Sequence, residues 1–261
     1  RDIAQDGRFT IRRPKGDIEA RVSVVPAEYG EAAVLRILDP QTINLELSGL
    51  GLRKNDETAI IEAIKQPNGM ILVTGPTGSG KTTSLYAFLR TANSPGIKTI
   101  TIEDPIEYHL EGIEQTQVSP EDGYTFASGL RSALRQDPDM ILVGEIRDKE
   151  TAVTAIDAAL TGHLVFSTLH TNSALGAVPR LLDLGVKPTS IAPAINLVIA
   201  QRLFRKLCEK CRVIEKREDL EENIEALCAN LPGGVSCGSK HTLYKPVGCS
   251  ECEGGLRGRI G

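Results

Sequence analysis

One stretch constrains this chain more than any other. Gly75-Pro76-Thr77-Gly78-Ser79-Gly80-Lys81-Thr82-Thr83 spells G-x-x-x-x-G-K-T between an apolar run and a helical one. The preceding Met70-Ile71-Leu72-Val73-Thr74 has the pattern of a short buried strand, and Thr83 to Leu89 continues as a helix. Strand, glycine-rich loop and helix in that order read as a phosphate-binding loop. Glycines let backbone N–H groups turn inward as an anion nest, and the helix N-terminus adds its positive dipole end. Lys81 then reaches the β- and γ-phosphates, and the Thr82 hydroxyl ligates Mg²⁺. A glycine-rich turn without a ligand is the competing reading, and it does not account for the strand and helix on either side.

Length and charge narrow the setting. At 261 residues the chain exceeds the usual single domain, so two domains, or one with an appended module, are expected. Thirty Lys and Arg stand against 34 Asp and Glu, a formal charge of −4 with both signs spread along the chain. That is not the basic stripe of a dedicated nucleic-acid binder. The longest mostly apolar run, Ile191 to Ala200, contains Pro193 and Asn196 and falls short of the ~20 residues of a spanning helix, so a soluble protein is expected. The start, Arg1-Asp2-Ile3, has neither methionine nor a charged-then-apolar leader. The end, Arg257-Gly258-Arg259-Ile260-Gly261, is equally abrupt, and both ends read as those of a fragment.

Taken in order, residues 1–40 alternate in strand fashion through Phe9 to Arg12, Ile18 to Val24 and Ala33 to Leu38. Pro14-Lys15-Gly16-Asp17 and Glu28-Tyr29-Gly30 supply turns, which predicts the C-terminal part of a small β-rich domain. Residues 41–55, around Gly49 and Gly51, read as a linker. Residues 56–261 change pattern. Ile60, Ile61 and Ile64 sit at helical spacing, and strands are predicted at Lys98 to Ile102, Met140 to Val143 and Leu164 to Thr168, separated by helical segments. Such alternation predicts an α/β fold with helices on the faces of a parallel sheet. Ser119-Pro120 and Lys149-Glu150 mark helix starts, Gly162 and Gly185 follow helix ends, and Ser190 caps an apolar helix over Ile191 to Leu207.

Hydrolysis would need a carboxylate to orient water and a group to hold Mg²⁺. Glu103-Asp104-Pro105-Ile106-Glu107 follows one predicted strand, and Glu145 follows Met140-Ile141-Leu142-Val143-Gly144. Both fall at the sheet edge where ligands lie, and either Glu103 or Glu145 can activate water. The plain alternative for Glu103 and Asp104 is a solvated turn before Pro105. His163 and His170 bracket the strand Leu164 to Thr168 and could sense the γ-phosphate, although a lone histidine at a strand end is more often structural.

All six cysteines come after residue 207, a distribution that suits a reducing, cytosolic compartment and a metal site better than a disulfide scaffold. Cys208-Glu209-Lys210-Cys211 and Cys249-Ser250-Glu251-Cys252 are two C-x₂-C clamps that offer four thiolates to a structural Zn²⁺. They define an insertion over 208–252 with a helical stretch at Asp219 to Asn230. Two unrelated redox or buried pairs are the alternative. Cys228 and Cys237 are left over. Cys237 could pair with His241, but a small buried hydrophobe is the simpler reading.

Together, GPTGSGKTT (Gly75 to Thr83), TIEDPIEY (Thr101 to Tyr108), LRQDPDMILVGEIRDKETA (Leu134 to Ala152), TGHLVFSTLHTN (Thr161 to Asn172) and AQRLFRKLC (Ala200 to Cys208) are similar to the traffic ATPases of type II secretion and type IV pilus assembly. The resemblance covers essentially the whole chain. It implies a RecA-like P-loop NTPase core preceded by a partial α+β, PAS-like domain, with an aspartate box, an atypical Walker B and a histidine box containing His163 and His170. It also implies that Arg21 and Arg36 close over the phosphates, and that the four cysteines form the zinc element of the assembly branch. An ATP-hydrolysing, Mg²⁺-dependent motor is implied, working as a cyclic oligomer, a hexamer. It would be cytoplasmic and peripheral at the inner membrane, reached through a membrane platform and cytoplasmic adaptors, and would power pilin or pseudopilin fibre assembly. The rivals are a nucleic-acid translocase of similar core and a nucleotide-binding scaffold that never hydrolyses.

Overall fold

The computed structural model describes residues 3–14, 17–38, 46–215 and 243–261. Chain contacts divide the molecule into two compact units, Arg1–Arg202 and Leu203–Gly261.

In the first unit, strands β1 (Gln5–Ile11), β2 (Ile18–Ala27) and β3 (Gly30–Leu38) form an antiparallel three-stranded sheet in sequence order. The alternating segments predicted for this region correspond to these strands. Register places Arg8 opposite Arg21, and Arg21 opposite Arg36. Like charges directly opposite destabilise a strand pair, so this arginine row needs an anion beside it.

A 3₁₀ turn at Leu47–Leu50 and helix α1 (Lys54–Ile64) lead into β4 (Gly69–Thr74), α2 (Lys81–Ala92), β5 (Thr99–Glu103) and β6 (Glu114–Gln117). Then come α3 (Phe126–Leu134), β7 (Met140–Val143), α4 (Lys149–Leu160), β8 (Leu164–Leu169), α5 (Ala177–Asp183), α6 (Pro188–Ala194) and β9 (Ile195–Ala200). The six strands pair in the order β6-β5-β7-β8-β4-β9, and all neighbours are parallel. β4, β5, β7 and β8 are buried along their whole length, as strands covered on both faces must be.

The period-two alternation of strand side chains feeds two cores. Met70, Leu72, Ile141 and Val143 pack with Leu130 of α3, Ile156 of α4, Leu181 of α5 and Ile191 of α6. Ile71, Val73, Leu142 and Phe166 pack on the other face with Ile60 of α1 and Leu85 and Phe88 of α2. Among the described residues no helix is long and apolar enough to cross a membrane.

Two local expectations are corrected. Ile191 to Leu207 is not one helix. α6 stops at Ala194, just after Pro193, and the β-branched and apolar run Ile195-Asn196-Leu197-Val198-Ile199-Ala200 joins the sheet beside β4. Ser119-Pro120 opens only a 3₁₀ turn, Pro120–Asp122, whereas α3 is capped by a reciprocal Thr125–Ser128 box. Gly162 and Gly185 follow their helices with φ of 104° and 84°, as predicted.

The second unit holds β10 (Phe204–Leu207) paired antiparallel with β13 (Leu256–Ile260), and β11 (Val213–Ile214) paired with β12 (Tyr244–Lys245). The helical stretch expected at 219–230, with Cys228, Cys237 and His241, lies outside the described residues. So does most of the first half of the expected linker.

Candidate active site

Because the sheet is parallel, the loops leaving β4, β5, β7, β8 and β9 share one edge, where an α/β sheet holds its ligands. A pocket of about 530 Å³ opens there, walled by the glycine-rich loop, Glu103, Glu107, Glu145, His170 and Arg36.

The loop is built for an anion. β4 ends at Thr74, and α2 begins at Lys81 with Gly80 as a left-handed N-cap (φ 86°) and no side-chain cap. The first amides of α2 are therefore free of a side-chain acceptor, and the helix dipole adds to their pull on negative charge. Gly75 has φ 144°, and a Cβ there would stand 2.5 Å from the Gln201 carbonyl oxygen and 2.6 Å from Ser79 Oγ. Ser79 Oγ is buried without a hydrogen-bond partner in the protein, a group that a phosphate oxygen would satisfy. Thr82 and Thr83, on the first turn of α2, line the same pocket.

Lys81 Nζ folds back to donate to the carbonyls of Gly75 and Pro76 at 3.0 and 3.1 Å. Burial, together with the charge of Arg202, lowers its pKa below the ordinary lysine value despite the opposing pull of Glu145. The charged amine is what attracts phosphate, so affinity falls as pH rises through this lowered pKa. Nucleotide titrations across alkaline pH are expected to weaken earlier than for an ordinary lysine, and Lys81→Arg should move that limb upward.

Glu145, just past β7, is buried and flanked on both oxygens. Arg147 Nη2 lies 2.5 Å from Oε1, and His170 Nε2 lies 3.0 Å from Oε2. His170, at the C-terminal end of β8, thus reaches the pocket. His163 does not. It sits at the N-terminal end of the same parallel strand, on the opposite sheet edge, with Nδ1 3.1 Å from the Ala158 carbonyl.

The acidic box divides its labour in a way the sequence reading missed. Glu103 is only 3% exposed; Oε2 accepts from the Tyr86 hydroxyl, and Oε1 from Thr101 Oγ1 at 2.5 Å and Gln115 Nε2 at 3.0 Å. Glu107 keeps 21% of its side-chain surface, and its Oε1 stands 3.6 Å from both Arg21 Nη1 and Arg36 Nη1. Arg21 Nη2 also donates to the Ile106 carbonyl at 2.5 Å. Glu107 is thus the anion beside the arginine row. Its signal in the sequence is the third carboxylate of Glu103-Asp104-Pro105-Ile106-Glu107. A second missed pair is Ser84 and Gln201, whose buried side chains join at 2.7 Å and tie α2 to the chain leaving β9.

In the other unit the four cysteines converge, as their spacing predicts. Sγ separations are 3.9 Å for Cys208–Cys249 and 3.6 Å for both Cys211–Cys252 and Cys249–Cys252, with all four within 4.8 Å of one another. A tetrahedron with metal–sulfur bonds of about 2.3 Å has edges of about 3.8 Å, so the donor set fits a four-coordinate thiolate metal. Desolvation pushes the Cys211 thiol up to about 11. It also opposes ionisation of Cys252, yet hydrogen bonds from the Cys249 amide and neighbouring thiols bring that group down to about 7.

Residues 1–261 match the family described as Type II/IV secretion system protein. The chain belongs to this family. Its relatives include type II secretion system protein E of Pseudomonas aeruginosa, 50% identical over 99% of this chain and 50% of the relative. The type IV pilus assembly ATPase PilB of the same organism is 48% identical over 98% of this chain and 44% of the relative. The chain therefore spans about half the length of the curated relatives it matches. Among solved structures of similar fold, the Legionella pneumophila ATPase DotB superposes with a TM-score of 0.66 at 32% identity, covering 77% of this chain and 58% of that one. The pilus retraction motor PilT with bound ADP gives 0.65 at 39% identity, covering 79% and 60%. The parallel six-stranded core and the cysteine cluster agree with the fold expected of a secretion or pilus family member.

Proposed function

We propose that this chain is the ATP-hydrolysing part of a motor that powers assembly of pilin or pseudopilin fibres. The carrying observation is that one pocket gathers the glycine-rich loop, Glu145 with His170, and Glu107 with Arg36, while Arg21 meets the same Glu107 oxygen. In this reading Lys81 and the loop amides hold the phosphates. Thr82 and Glu145 would hold Mg²⁺ with its water shell, and the metal, when bound, would supply charge neutralisation at the phosphates. Glu145, held by the exposed side chains of Arg147 and His170, and Glu107, held by Arg21 and Arg36, are the acids that can release a partner and orient water. Glu103, with both oxygens taken by the interior side chains of Tyr86, Thr101 and Gln115, anchors the loop that carries Glu107. Arg21 and Arg36 exchange their carboxylate partner for phosphate oxygens as charge builds there.

Each arginine contributes a charge-assisted hydrogen bond of about 1.5–3 kcal/mol, so Arg36→Ala is expected to slow turnover by about tenfold to a hundredfold. Steady-state phosphate release, with ATP affinity measured in parallel, checks this.

The proposal keeps residues 1–40 as a small domain that moves against the nucleotide domain at 56–261 through a linker at 41–55. The cysteine cluster holds zinc as a structural element. The working form is a hexameric ring, cytoplasmic and bound at the inner membrane through platform and adaptor proteins. A net charge of −4 gives no support to a nucleic-acid partner. Phosphate release from ATP with Mg²⁺ present and then chelated is the test. Release that depends on Mg²⁺ supports hydrolysis, and tight ATP binding with no release would instead make this a nucleotide-binding scaffold.

A further inference from the structure

Tyr86 is the largest polar side chain buried in α2, and the phosphate site makes no use of it. Its hydroxyl donates to Oε2 of Glu103 and accepts from the Glu107 amide at 3.3 Å. Burial and then the charge of Glu103 hold its phenol proton on, well above the usual range. The other Glu103 oxygen is held by Thr101 and by Gln115 Nε2, which also donates to the Tyr108 carbonyl at 3.0 Å. Gln115 Oε1 accepts from the Leu110 amide at 2.7 Å, and the Tyr108 ring meets Tyr86 edge-on at 6.3 Å. A buried carboxylate thus ties backbone groups of Glu107, Tyr108 and Leu110 to α2. The segment so held is the one that meets Arg21 and Arg36. A phenylalanine would pack as well, but it would leave one Glu103 oxygen buried without its donor and free the Glu107 amide.

We propose that Tyr86 is a positioning residue whose hydroxyl, through Glu103, fixes the 104–110 loop so that Glu107 and the Ile106 carbonyl receive the arginines of the N-terminal sheet. The helix that takes the phosphates and the loop that takes the arginines then share one buried bond. This rests on the hydrolytic reading above. Its consequence is that Tyr86 acts on turnover rather than on nucleotide binding.

The test uses full-length protein carrying Tyr86→Phe, and Gln115→Met as a second cut in the same network in case the first fails to fold. ATP affinity, kcat, KM and amide hydrogen exchange are measured for each. Loss of one buried hydrogen bond to a charged group is expected to lower kcat by about tenfold, with affinity and KM within about twofold. Exchange in 104–110 is expected to quicken by about tenfold while α2 keeps its protection. Tyr86→Phe combined with Arg21→Lys should lose no more than the larger single change, since both act through one loop. Unchanged kcat, or kcat, KM and α2 protection failing together, would overturn the proposal. Should the parent release no phosphate, the hydrolytic reading falls by itself. The exchange data then decide for Tyr86: quickening confined to 104–110 supports its positioning role, and unaltered exchange ends it.

Discussion

Lys81→Ala is expected to lower ATP turnover by about 10³ or more, with the fold unharmed. The amine is the one cation of the glycine-rich loop, and its Nζ is parked on the carbonyls of Gly75 and Pro76, within reach of the helix N-terminus. Phosphate oxygens are stronger acceptors than carbonyls, so the side chain gains most when charge gathers on the γ-phosphoryl. Alanine keeps the helix, because its propensity exceeds that of lysine. A lysine whose pKa is lowered by burial is charged at some cost below that pKa, a cost that vanishes above the ordinary lysine value. Removing it at neutral pH therefore does not lower stability. Thermal unfolding should match the parent while phosphate release collapses. A parallel fall in melting temperature would mean that the lysine supports the loop rather than the nucleotide.

Cys249→Ser is expected to unfold the second unit and spare the first. Among the described residues this unit is held by two short antiparallel ribbons, β10–β13 and β11–β12, and two-stranded pairs are marginal alone. Phe204, Ile214 and Val247 are exposed there, so apolar burial offers little compensation. Zn²⁺ held by the four thiolates would supply what is lacking, since a structural Zn²⁺ contributes about 10 kcal/mol or more to folding of its own site. Serine offers a poor ligand in place of thiolate, and three sulfurs leave an open position. Metal analysis should fall from one zinc per chain, and protease should cut within 203–261 while 46–202 resists. Full zinc content with unaltered protection would remove the metal from the account.

The core and the phosphate loop were legible in the sequence because their signals are local. β7 and the Met70 to Val73 part of β4 read as unbroken apolar runs, and glycines at Gly75 and Gly80 are demanded by backbone geometry within a few residues. The cysteine clamps were legible because their spacing is itself the chemistry. What escaped depends on partners remote in sequence. β9 was hidden because apolar residues of helix and strand look alike until Pro193 and the neighbour β4 decide between them. β6, Glu-Gln-Thr-Gln, is a polar edge strand recognisable only from its pairing with β5. His163 and His170 look equivalent in the sequence, and only strand direction sends one to the pocket and the other to the far edge. Glu103 and Glu107 were separated by Tyr86 and Gln115 on one side and by two arginines from another sheet on the other.

The most direct measurement of the central claim is phosphate release beside ATP binding in the full-length protein and in Glu145→Gln. The amide keeps the size of the carboxylate but loses its charge, turns one acceptor oxygen into a donor, is a weaker Mg²⁺ ligand and cannot take a proton from water. ATP affinity is expected to stay within a few fold while release falls by about a hundredfold. Release at the parent rate in Glu145→Gln would contradict the claim.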